Sequence, residues 1–175
     1  MALRIPFFCV KDKQAYRMEK GDMRMAGNPA QLCRDLAGKG AKLIHIVDMD
    51  AKRGQTGNMD IYDSLTYFVN IQVECSAKKE MLEKLFTLKA RVVLELPAKL
   101  DLSLLKEHER LVVGSFGPSY KGEAEGVHDV IIEGADDAAV ERFAELGKRV
   151  IVYDSDYRKL KTGNRKLVWG ILAPI

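Results

Sequence analysis

Six thiol or carboxyl side chains fall where short apolar runs end: Cys9, Asp48, Glu74, Glu95, Glu133 and Asp154. Groups gathered at strand ends could exchange protons, hold a divalent cation or bind a cationic ligand. His45, with Cys9 and Cys75, would supply soft-metal donors, but their spacing is not that of a zinc site, and no metal or other cofactor is expected. The plainer reading of the carboxylates is that they cap the helices that follow. On that reading Asp48 and Asp50 orient loops by accepting backbone N–H groups, and His45 is a hydrogen-bonded core residue. The segment Tyr157–Lys166 (YRKLKTGNRK) is basic with one aromatic residue, which fits either a polyanion or a solvated loop. A net charge of +3 is too mild to favour nucleic acid as a partner. His108 and His128 lie in polar surroundings, and Trp169 in a terminal apolar run reads as packing.

The elements that would position these groups alternate along the chain. Candidate strands are Arg4–Val10, Ala41–Met49, Asn70–Cys75, Ala90–Leu96, Arg110–Phe116, Asp129–Glu133, Arg149–Asp154 and Lys166–Leu172. Several are continuous apolar runs such as LIHIV and RVIVY, as expected of strands buried on both faces. Asn28-Pro29 opens a helix that Gly38 or Gly40 ends, Asp101 opens LSLLKEHE, and Asp136 opens DAAVERFAEL before Gly147. Lys78–Leu88 carries Met81, Leu82, Leu85, Phe86 and Leu88 on one stripe, read as core. QAYRME (Gln14–Glu19) followed by Gly21-Asp22 predicts a small hairpin in the first loop.

Eight strands in one parallel α/β pattern predict a single (β/α)₈ TIM-type barrel over residues 1–175. Such barrels usually need about 200 residues or more, so the expected form is truncated, with some outer helices missing. Gly117–His128 is Gly-rich and poorly helical, Ser155–Arg165 holds little more than one helical turn, and nothing follows the last strand. A doubly wound open sheet is the competitor, but no GxGxxG or GxxxxGK[ST] loop follows any strand. A hydrophobic fraction of 47% with 30% charged residues fits a soluble globular chain. No run reaches the roughly 20 apolar residues of a membrane span, and the opening residues read as no signal peptide. Three cysteines without CxxC spacing read as reduced thiols, so the expected location is the cytoplasm.

An ordered series over residues 5–60 resembles the phosphoribosylformimino-aminoimidazole carboxamide ribotide isomerase family of histidine biosynthesis. It comprises Ile5-Pro6, Lys11-Asp12, Tyr16-Arg17, Lys20-Gly21-Asp22, Asn28-Pro29, Gly40-Ala41-Lys42, His45-Ile46-Val47-Asp48-Met49-Asp50 and Gly57-Asn58-Met59-Asp60. Beyond residue 76 the likeness rests on strand order and a few apolar matches. The resemblance implies an Amadori rearrangement run by two aspartates, a general base and a general acid, at the ends of the first and fifth strands. Here those positions hold Cys9 and Phe116, or Ser115 if the match slips by one. It also implies glycine-rich phosphate loops after the third and seventh strands. Here those strands run into Glu74-Cys75-Ser76-Ala77-Lys78 and Asp154-Ser155-Asp156, whose carboxylates repel a phosphate dianion. Gly170 on the eighth strand survives, and Lys78 stands where the family has an arginine.

The expectation is therefore a diverged member without isomerase activity, binding a small molecule or a protein partner at the barrel's C-terminal face. Cys9, His45 and Asp48 are its candidate catalytic groups, and Asp50, Lys78 and Gly170 its candidate binding groups. The alternative is an active aldose–ketose ribotide isomerase with Cys9 in an altered acid–base pair. A third reading, a structural subunit, follows from the missing helices, which would leave apolar strand surface for another copy to cover and so point to a homo-oligomer.

Overall fold

The computed structural model describes residues 2–175, which divide into two compact units, one over Ile5–Val92 with Pro174–Ile175 and one over Val93–Ala173 with the residues up to Arg4. The first holds most of β1 (Leu3–Lys11), then β2 (Gln14–Glu19), β3 (Asp22–Gly27), α1 (Pro29–Gly38), β4 (Leu43–Asp48), α2 (Met49–Lys52), α3 (Met59–Thr66), β5 (Asn70–Glu74), α4 (Lys79–Thr87) and the start of β6 (Arg91–Glu95). The second holds a 3-10 segment (Leu102–Leu111), β7 (Val112–Phe116), β8 (Asp129–Ile132), α5 (Asp137–Glu145), β9 (Arg149–Tyr153), α6 (Asp154–Tyr157), α7 (Thr162–Arg165) and β10 (Val168–Pro174). The strands are hydrogen-bonded in the order β10-β9-β8-β7-β6-β5-β4-β1-β2-β3, and β10 also pairs with β1. Eight parallel strands so joined, with helices between them, make a closed (β/α)₈ barrel. The open doubly wound sheet is excluded by that closure.

In the first unit β1 runs parallel to β4 with Phe7 opposite His45 and Cys9 opposite Val47, and β4 runs parallel to β5 with His45 opposite Gln72. The predicted hairpin is present as β2 and β3, antiparallel, joined at Lys20-Gly21, where both residues have positive φ (52° and 92°). Helix α1 begins as the sequence indicates: the Asn28 side chain accepts from the backbone N–H of Ala30 and Gln31, and Pro29 fills the first turn. Helix α4 buries Met81, Leu82, Leu85 and Phe86 on one stripe.

In the second unit β7, β8 and β9 are parallel and almost wholly buried. Asp136 caps α5 by accepting from Ala139 N–H. Two expectations need correction. Residues 102–109 are predicted to form a helix opened by Asp101, and Asp101 does cap it, but the turns are 3-10 throughout and run on to Leu111. The segment Ser155–Arg165 carries two four-residue helices, α6 and α7, rather than little more than one turn. Residues 117–128 hold no helix, as their glycine content indicates. No helix among the described residues is long and apolar enough to cross a membrane.

Candidate functional site

Side chains three apart on a strand point to opposite faces, and this separates His45 from Asp48 on β4. His45, on one face, meets residues of the neighbouring strands. Its Nδ1 lies 3.0 Å from Gln72 Nε2, and Gln72 Oε1 accepts from Arg91 at 3.1 Å. Arginine only donates, so the Gln72 amide must turn its NH₂ towards His45; Nδ1 is then the acceptor and Nε2 carries the proton. That Nε2–H faces Glu74 Oε2 at 3.6 Å, where its positive end favours the carboxylate. Glu74 is also ion-paired with Lys52, whose side chain is partly exposed. Phe7 meets the His45 ring edge-on at 6.2 Å. The result is a polar file, Arg91–Gln72–His45–Glu74–Lys52, through strands whose other residues are apolar.

Cys9 belongs to the Glu74 end of this file. Burial pushes its thiol pKa up, the Glu74 carboxylate pushes it further, and Lys52 only partly opposes them. Burial would also raise Glu74, but His45 and Lys52 more than offset that and hold its carboxyl at about 2. At neutral pH the site therefore contains an ionised Glu74 and a protonated Cys9 thiol.

Asp48 faces the helix layer. Its Oδ1 accepts from the backbone N–H of Asp50 and Ala51 at 2.9 and 2.8 Å, which caps α2, and from the Asn58 amide at 2.9 Å. Its Oδ2 accepts from the Tyr62 hydroxyl. Asp50 Oδ2 accepts from Asn58 at 2.9 Å and from Asp12 N–H at 2.7 Å, and Asn58 Oδ1 accepts from Lys13 N–H at 2.9 Å. Asp48 and Asp50 thus tie the turn after β1 and the start of α3 to the end of β4. Cys75 lies on this side too, where burial foremost, then Asp48 and Glu74, raise its thiol to about 12. Cys9 and Cys75 consequently do not form the soft-metal set with His45. Among the described residues no three His, Cys, Asp or Glu side chains are grouped to hold a metal ion.

The other candidates are dispersed. Lys78 is exposed and donates to Gly54 O at 2.9 Å. Gly170 is buried beside a register shift where β10 meets β9. Glu95 and Glu133 are exposed, and Asp154 pairs with Arg158 and with Arg4. The Phe116 ring packs at 4.7 Å on Phe143 of α5 and at 4.5 Å on Tyr120, so it faces the helix layer. By alternation Ser115 turns to the opposite face from Phe116. In the same unit a cavity of about 660 Å³ is lined by Leu96, Pro97, Leu102, Tyr120, Ala124 and others, none of them a candidate from the sequence.

Sequence reasoning missed Lys52, Gln72, Arg91 and Tyr62, and gave Asn58 no role beyond its place in the matched series. Gln72 and Glu74 stand two apart in an otherwise apolar strand, a signal for polar groups on one face. Asn58 and Tyr62, four apart, mark the inner side of α3.

No family model matches the chain. It is 28% identical over 109 residues to 1-(5-phosphoribosyl)-5-((5-phosphoribosylamino)methylideneamino)imidazole-4-carboxamide isomerase of Nitrosopumilus maritimus, covering 58% of this chain and 46% of that protein. Identity to the protein of the same name from Anaeromyxobacter sp. is 34% over 99 residues, covering 52% and 42%. With that from Methanocaldococcus jannaschii it is 31% over 74 residues, covering 40% and 31%. The chain thus spans less than half the length of these curated relatives. Among solved structures, dihydropteroate synthase from Thermus thermophilus is similar with a TM-score of 0.57 at 12% identity, covering 98% of this chain and 87% of that one. Thiamine phosphate pyrophosphorylase from Pyrococcus furiosus gives 0.56 at 13%, covering 98% and 84%. Those two likenesses concern the fold; the sequence matches make the chain a distant relative of proteins named as the ribotide isomerase.

Proposed function

We propose that this chain is a diverged relative of the ribotide isomerases that lacks their isomerase activity and binds a small molecule at the C-terminal ends of β1, β4 and β5. The observation that carries this reading is Cys9. It stands where the family resemblance puts a catalytic carboxylate, and its surroundings keep it a neutral thiol. A general base must be deprotonated near the working pH, and burial beside an ionised Glu74 works against that. The carboxylate beside it, Glu74, is held at about 2 and is too weak a base to replace it. At the second position the resemblance puts Phe116, or Ser115 with a slip of one, and neither side chain shuttles a proton near neutral pH.

The same groups favour a polar ligand bearing hydroxyl or amine groups. Glu74 accepts hydrogen bonds, Lys52 donates them from a partly exposed position, and Cys9 adds a small apolar contact. A phosphate dianion would meet the Glu74 charge. The purified chain should be screened by thermal shift against the ribotide substrate, sugar phosphates, free sugars and divalent metals, with isomerase turnover measured in parallel. A ligand at a hundred times its Kd should raise Tm by about 5–10 °C without turnover. Ribotide turnover that disappears in Cys9→Ala would refute the reading and favour an active isomerase. Silence across the panel would argue against the small-molecule ligand.

A further inference from the structure

The hairpin β2–β3 ends the strand order, so β3 pairs on one side only and offers an open backbone edge. Asp22, Met23, Arg24 and Met25 on it are all exposed. In a two-residue hairpin the closing pair, here Glu19 and Asp22, exchanges backbone hydrogen bonds, and such pairs recur at every second position. Asp22 and Arg24 therefore turn their N–H and C=O groups inward to β2, while Met23 and Met25 turn theirs outward.

The charges on this hairpin are arranged against its own stability. Glu19 lies directly opposite Asp22, and Arg17 directly opposite Arg24. Like charges facing across a pair are destabilising. Arg17 is relieved by Glu19 at 3.7 Å, but neither Asp22 nor Arg24 makes an ion pair among the described residues. On the other face Met18 lies opposite Met23 and Tyr16 opposite Met25, with Met25 66% exposed.

We propose that β3 is the contact strand of a homodimer, in which two copies pair antiparallel about a twofold axis through Met23. Met23 then exchanges both backbone hydrogen bonds with its mate, and Met25 meets Gly21 of the second copy. Asp22 of each copy faces Arg24 of the other, twice by symmetry, in the closer, non-hydrogen-bonded pairs. The twofold register centred on Arg24 would instead set two guanidinium groups against each other. Charge thus selects the first register, and the two methionine faces join into one adaptable apolar surface. Pairing through one short strand gives a small interface and a weak, concentration-dependent dimer.

Sedimentation velocity of the full chain from about 1 to 100 µM tests this directly. Asp22→Arg and Arg24→Asp should each raise the dimer Kd about tenfold or more, and the double variant should restore it. Each single reversal replaces a like-charge pair inside the hairpin with an opposite one, so lost dimer would not reflect a melted hairpin. Circular dichroism confirms that each variant is folded. A native chain that stays monomeric, or dimers that persist equally in all three variants, would overturn the proposal.

Discussion

Replacing Asp48 separates a group that holds the fold from one that only supplies a proton. Asp48 is wholly buried and accepts four hydrogen bonds, two of them as the cap of α2. Asp48→Ala removes the cap, at a cost of about 1 kcal/mol. It also strands the Tyr62 hydroxyl and one Asn58 N–H, residues that are 0% and 1% exposed. Each such buried donor costs about 1–3 kcal/mol, so the variant should lose about 3–7 kcal/mol. Asp48→Asn keeps the Oδ1 acceptor for the cap and for Asn58. Its new NH₂ meets the Tyr62 hydroxyl, which can rotate to accept, so the loss should be only about 1–2 kcal/mol. Urea unfolding followed by circular dichroism measures both, with the midpoint moving at constant m. An Asp48→Ala protein within 1 kcal/mol of native, or an Asp48→Asn protein equally damaged, would refute this account of the network.

Acid should expose the contribution of Glu74. Folding lowers its pKa from 4.5 to about 2, so its stabilisation is complete above about 4.5 and is lost as pH falls through about 2. The full contribution is about 3 kcal/mol, and Glu74→Gln should flatten the acid limb of a pH–stability curve; an unchanged limb would count against the pairing. Cys9, Cys33 and Cys75 are free and buried with raised pKa values, about 12 for the latter two. Ellman's reagent at pH 8 should label the native chain far more slowly than the chain in denaturant, where all three react; rapid native labelling would contradict the burial of Cys9. In the second unit Asp129, fully buried, accepts two hydrogen bonds from Arg149 at 2.7 and 2.8 Å. Asp129→Ala, which leaves the partly exposed Arg149 to water, should lower stability by about 2–3 kcal/mol, read by the same urea titration.

The strands were legible because fully buried parallel strands leave continuous apolar runs such as LIHIV and RVIVY, and the helix starts because Asn28 and Asp136 are strong caps. Boundaries moved where one residue serves two elements: Met49 opens α2 instead of extending β4, and Arg110 and Leu111 close the 3-10 segment before β7. That segment's tighter turns leave no distinct spacing in LSLLKEHERL. The composition of the site was partly legible, but not its partition into two faces. His45 and Asp48 looked like one set because they are close in sequence, yet strand alternation places them on opposite sides. Lys52 was invisible as a partner of Glu74, because that pair spans 22 residues and depends on the register of β4 against β5.

The most direct test of the central claim is single-turnover assay of the purified chain with the ribotide substrate, beside a Cys9→Asp variant and an active isomerase. The account predicts no conversion by the native chain at neutral pH, since its thiol stays protonated beside an ionised Glu74. Conversion by the native chain that is abolished in Cys9→Ala would contradict it, making Cys9 a working acid–base group.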